Sequence, residues 1–73
     1  METTQLLIFK TNIAEICPHC EVYKILNSHT EIQQWSIDTE DVDCVLRIAS
    51  GTLSAAQIIT LINGLGHECL ELN

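Results

Sequence analysis

The segment Cys17-Pro18-His19-Cys20 carries the densest chemistry in this chain. Two thiols at positions i and i+3 around a helix start lie on one side and can reach the same ion, or each other. Proline is favoured at the first helical position, which places the start of a helix at Pro18. Unpaired N–H groups there favour anions and lower thiol pKa. Soft thiolates select Cu(I), and two of them suffice for a near-linear site. Zn(II) wants four ligands, so it would recruit His67, His19, Cys69 or a second molecule. Two competing readings stand beside the metal. The pair is a dithiol redox couple, or both cysteines are small buried side chains on the first helical turn.

Other reactive side chains are scattered. His67 lies in a turn that should face the cysteine loop; as a ligand it competes with a plain solvated histidine. His19, between the cysteines, is either a donor or a solvated first-turn residue. Cys44 and Cys69 read as core or sheet positions, since unpaired cysteine is among the most buried residue types. Asp38, Glu40, Asp41 and Asp43 offer oxygen ligands but lack the Gly and terminal Glu of a calcium loop, so they read as a solvated hairpin tip. No nucleophile–base set and no phosphate-binding glycine loop is present, so the expectation is a protein that is not an enzyme.

These residues need elements to position them. Gln5 to Thr11 is an apolar run of strand length with both alternating faces apolar, as a central strand requires. Val22, Ile25, Leu26 and His29 fall at helical spacing and predict an amphipathic helix over 18–28. Trp35 and Ile37 alternate with Gln34 and Ser36 across 32–38; Cys44, Leu46 and Ile48 share the next face, and the two runs make a hairpin. Ser54 and Gln57 fit a capping box, with Leu53 and Ile58 at the staple positions. Ile58, Ile59, Ile62 and Leu65 form the following stripe, ended by Gly64 and Gly66. Leu70 and Leu72 make a last short strand. The order is β-α-β-β-α-β: an α+β, ferredoxin-like single domain over 1–73, with both helices on one face of a four-stranded antiparallel sheet. Its expected core is Leu6 or Leu7 with Ile8, Ile25, Trp35, Ile37, Leu46, Ile58, Ile62 and Leu70. The end of β1, the hairpin turn and the last turn would gather at one end of that sheet. A parallel strand pair beside Cys17 would instead point to a thioredoxin-like order.

Bulk properties narrow the partners. The 73 residues carry three basic side chains against ten carboxylates, a formal charge of −7. Phosphate backbones and anionic lipid are repelled by such a surface, which argues against nucleic-acid and membrane-surface roles. No stretch approaches the roughly 20 apolar residues of a membrane span. The opening Met1-Glu2-Thr3-Thr4-Gln5 does not read as a secretory signal, so a soluble cytoplasmic protein is expected unless a leader has been removed. Reducing conditions there favour metal or redox use of Cys-x-x-Cys over structural disulfides.

With that order in hand, the sequence resembles the heavy-metal-associated domain family of metallochaperones and metal-pump modules. The likeness runs from the first strand and Cys-x-x-Cys, through Trp35-Ser36-Ile37-Asp38 and Val45-Leu46-Arg47-Ile48, to Ile62-Asn63-Gly64-Leu65-Gly66-His67. It implies a soft ion, Cu(I) or less readily Zn(II), on Cys17 and Cys20, and a partner metal-binding domain or transporter. His67 matches a place where the family often has an aromatic residue or lysine. The motif departs from the family's: Glu15-Ile16 stand where a Met and a variable residue are usual, and Pro18-His19 replace small residues. Counting back from Ile32, Cys17 suits the family's second cysteine and Ala14 its first; counting the pair itself, Cys17 and Cys20 fill both places. Cys-Pro-His-Cys also resembles the thioredoxin-like periplasmic disulfide oxidants, although that family needs a cis-proline loop facing the dithiol and the only proline here is Pro18. A third alternative is a module that has lost its metal site and serves protein contact. Self-association is expected to be absent or weak.

Overall fold

The computed structural model describes residues 4–16 and 20–72. The elements follow in the order β1 (Gln5–Thr11), α1 (Glu21–Ser28), β2 (Gln34–Asp38), β3 (Val45–Ser50), α2 (Ala55–Gly64) and β4 (Cys69–Glu71). The sheet order is β2-β3-β1-β4, and each neighbouring pair is antiparallel. This is the expected α+β, ferredoxin-like arrangement. Among the described residues no parallel pair lies beside the cysteine loop, as a thioredoxin-like order would require.

One face of the sheet is covered. Phe9 of β1, Leu46 and Ile48 of β3, Val22 and Leu26 of α1, and Ile58 and Ile62 of α2 join one buried cluster with Ile13, Ile32 and Cys69. Both helices therefore sit on the same side of the sheet. Each of the Val, Leu, Ile and Phe side chains in that cluster contributes about 1.5–3 kcal/mol on leaving water. The capping box at α2 is present in both halves, with Ser54 accepting from the Gln57 N–H and the Gln57 side chain accepting from the Ser54 N–H. Those two bonds satisfy donors that a helix start leaves unpaired, which offsets the weak helix propensity of Ile58, Ile59, Thr60 and Ile62.

Several expected core positions move. Leu7, not Leu6, packs on the cluster, and Leu6 is 61% exposed. Ile8 stands opposite Arg47 on the helix-free face and is only half-buried, as is Ile25, whereas half-buried Trp35 and Ile37 do pack against the cluster as expected. Leu70 is 64% exposed, whereas Cys69 is 3% exposed. The reason is register. Cys69 pairs with buried Thr11, so alternation turns Leu70 toward Lys10 on the open face. Two apolar faces on β1 fit its central place in the order, yet only one of them is covered.

Boundaries also shift. α1 begins at Glu21 with Cys20 as its N-cap; the expected start at Pro18 lies outside the described residues. Cys44 falls just before β3, with φ of 45°, so it is not part of the strand face it was expected to share with Leu46 and Ile48.

Candidate metal centre

The residues at the cysteine end of the sheet are organised by Thr11, the last residue of β1. Its N–H donates to the Asp43 carbonyl at 3.0 Å, and its Oγ1 donates to the Cys44 carbonyl at 2.7 Å. The same Oγ1 accepts from the Ile13 N–H at 3.2 Å, which aims the chain out of β1 toward the cysteine loop. Thr11 thus joins the β1–α1 loop to the β2–β3 turn. Asn12 makes the other link, its Oδ1 accepting from the Glu68 N–H at 2.9 Å in the α2–β4 turn. Three loops are tied at one end, as the element order required. Sequence reasoning passed over both residues. Their signal was a short polar pair directly after an apolar strand, where Thr and Asn side chains bond to loop backbone.

Cys20 is the N-cap of α1, with extended backbone at φ −72° and ψ 142°. Its carbonyl accepts the first helical bond, from the Lys24 N–H at 3.1 Å. The residue is half-buried and touches the core cluster. Cys20 is disulfide-bonded, while Cys44 and Cys69 are free. Cys17 and His19 lie outside the described residues.

His67 owes its place to how α2 ends. The Gly66 N–H donates to the Asn63 carbonyl at 3.0 Å and the His67 N–H to the Ile62 carbonyl at 3.3 Å, the paired bonds of a Schellman turn. Gly66 takes φ of 89°, a region that costs glycine little and other residues more. His67 is half-buried on the turn that Asn12 holds against the β1–α1 loop. Among the described residues, no three His, Cys, Asp or Glu side chains converge on a point that would hold a metal ion. A four-ligand Zn(II) shell is therefore not assembled from them.

The remaining two thiols differ from each other. Cys44 is partly exposed, and its left-handed backbone is held by the Thr11 bond and by its own N–H on the Asp41 carbonyl at 3.0 Å. Cys69 is a core residue, and burial pushes its thiol up to about 11 from 9.0. A thiol kept protonated is a poor ligand. The same shift predicts a pH effect on stability. In the unfolded chain the thiol ionises above 9, while in the folded protein it holds its proton to about 11. The folded state then binds more protons, so this contribution is complete below pH 9 and lost as pH rises through 11. Urea unfolding at increasing pH should show that fall in the native protein and a smaller one in Cys69→Val; equal slopes would refute it.

The same α+β arrangement occurs in a solved structure described as the apo form of the HMA domain of a copper chaperone for superoxide dismutase. The TM-score is 0.76 at 20% identity, over 99% of this chain and 70% of that one. The fold is that of an HMA domain. At that identity the likeness concerns architecture, and HMA-like here describes how the strands and helices are arranged. No protein-family model and no curated protein matches the sequence. In the HMA-like frame the β1–α1 loop and Cys20 stand at the end of the sheet where Thr11 and Asn12 gather the other loops.

Proposed function

We propose that this chain is a metal-carrying domain, not an enzyme, whose cargo is a soft ion on Cys17 and Cys20, Cu(I) ahead of Zn(II). The observation that carries the reading is the place of Cys20, at the N-cap of α1 after the first loop of an HMA-like fold. Cys20 makes no side-chain cap bond in this structure, but the unpaired N–H groups of the first turn favour a thiolate beside them once the residue is reduced. Two thiolates match the low coordination number of Cu(I); Zn(II) would need His67, His19 or a second molecule. The partner is a thiol-bearing metal domain or transporter of the cytoplasm, which takes the ion by ligand exchange. The similar structure belongs to a copper chaperone, which agrees with such a hand-off.

The test is metal stoichiometry of the fully reduced protein. Wild type should hold one Cu(I) per chain, and Cys17→Ser and Cys20→Ser should each hold none. A reduced wild type that takes up no Cu(I) removes the proposal.

One observation favours a second reading. Cys20 is disulfide-bonded, as a dithiol couple would be in its oxidised form. That reading pairs Cys20 with Cys17, and the reduced pair would pass two electrons to a disulfide substrate while closing its own bond. Turnover of a small-molecule disulfide by the reduced protein, abolished in Cys20→Ser, would favour it over metal carriage.

A further inference from the structure

The two edges of the sheet are guarded differently. β4 is three residues long and carries exposed Glu71, with exposed Glu68 just before it. Shortness and charge are the usual protection of an open edge. β2, at the other end of the strand order, is five residues long and reads Gln34-Trp35-Ser36-Ile37-Asp38. It has no Lys and no Pro, and its one charge is at its last residue.

We propose that the outer edge of β2 pairs with the same edge of a second copy, antiparallel about Ser36, joining two four-stranded sheets into one of eight. The sequence of β2 is complementary to itself in this arrangement. Centring on Ser36 pairs all five residues of each copy, whereas centring on Trp35 or Ile37 leaves some unpaired. Gln34 then lies opposite the second copy's Asp38, so no carboxylate faces another along the strand. Trp35 lies opposite the second copy's Ile37, an aromatic and β-branched pair of the kind that stabilises sheets, and it occurs twice. Both side chains are half-buried on the helix-bearing side, where Tyr23 already meets Trp35 edge-on at 5.4 Å between ring centroids.

Charge selects the same edge. Arg47 stands beside Ser36 in the register, exposed on the helix-free face. Among the described residues the ion pair is Lys10 with Asp43 at 3.6 Å, so Arg47 has no carboxylate partner there. In the paired sheet the second copy's Asp38 lies opposite Gln34, two strands from Arg47 on the same face. Arg47, already diagonal to its own Asp38 in the β2–β3 register, so comes to stand between two carboxylates. Most other surface of a chain with net charge −7 repels its like; here each copy offers the other an arginine and a carboxylate.

The experiment is sedimentation equilibrium of the whole chain in excess thiol reductant, so that no disulfide can link copies. Salt near 0.15 M confines charge effects to about 8 Å. Wild type should show a concentration-dependent monomer–dimer equilibrium. Ser36→Lys places two ammonium groups opposite each other on the two-fold axis, and it should be monomeric at the same concentrations. Asp38→Asn and Arg47→Gln should each weaken the dimer about tenfold, with the double variant no weaker than either single one. These side chains are exposed, so unchanged unfolding midpoints verify the fold. Amide hydrogen exchange of wild type needs no variant: protection of β2 should rise with protein concentration. A wild type that stays monomeric, β2 exchange independent of concentration, or a dimer that survives Ser36→Lys would each overturn the proposal.

Discussion

Replacing Ile62 by Ala should lower folding stability by about 2–5 kcal/mol, the range for truncating a fully buried isoleucine. Ile62 is 0% exposed and belongs to the single cluster in which both helices meet the sheet. The substitution removes apolar surface from that cluster and leaves a cavity that β1 and β3, paired on both sides, cannot easily collapse to fill. Its backbone carbonyl also accepts from the Leu65 and His67 N–H groups, so loosening this residue reaches the turn that carries His67. Urea unfolding followed by circular dichroism would measure the loss. A change under about 0.5 kcal/mol, typical of a surface site, would contradict the packing described.

The second large effect is expected at Thr11, where Thr11→Val should cost about 1–3 kcal/mol through polar groups left without partners. Valine keeps the shape but removes the oxygen that serves both the Cys44 carbonyl and the Ile13 N–H. Thr11 is 6% exposed, so water cannot readily replace those bonds. Cys44 should respond as well, because its left-handed backbone loses one of the contacts that hold it. Denaturant unfolding gives the stability term. The rate of Cys44 modification, compared in Cys17→Ser/Cys20→Ser backgrounds, gives the local one. An equally stable Thr11→Val protein with unchanged Cys44 reactivity would show that Thr11 does not organise this end of the sheet.

How much of this was legible beforehand depended on whether local chemistry or tertiary register decided each residue. Ser54 and Gln57 announced the start of α2 because a capping box is satisfied by residues three apart, whatever surrounds them. Gly66 announced its end for a similar reason: the left-handed turn suits glycine. Trp35 and Ile37 declared a strand by alternation alone. Leu70 and Cys69 could not be sorted so. Leucine is the larger hydrophobe, and only the pairing of Cys69 with Thr11 shows that cysteine points inward. Leu6, Leu7 and Ile8 were ambiguous likewise, since a central strand covered on one side looks apolar on both. Cys44 was drawn into β3 because its spacing from Leu46 is correct for a strand; the turn from Asp41, closed by a 3.0 Å backbone bond, overrides that spacing. At the candidate site, the position of Cys20 after the first strand was readable. The links made by Thr11 and Asn12 were not, because they join loops far apart in sequence.

The central place of β1 has a consequence for how the chain acquires its structure. Its neighbours, β3 and β4, come much later: Phe9 pairs with Leu46 and with Glu71. The hairpin of β2 and β3 closes over a short turn and should form early, since loop-closure entropy grows with separation. During synthesis Leu6-Leu7-Ile8-Phe9 emerges before both of its partners and must wait for β3 before either of its backbone edges is engaged. Until β4 arrives one edge stays bare, beside two apolar faces. Nascent or truncated chains ending before Cys69 therefore carry a strand suited to pairing with the wrong partner, and aggregation should be most severe for those.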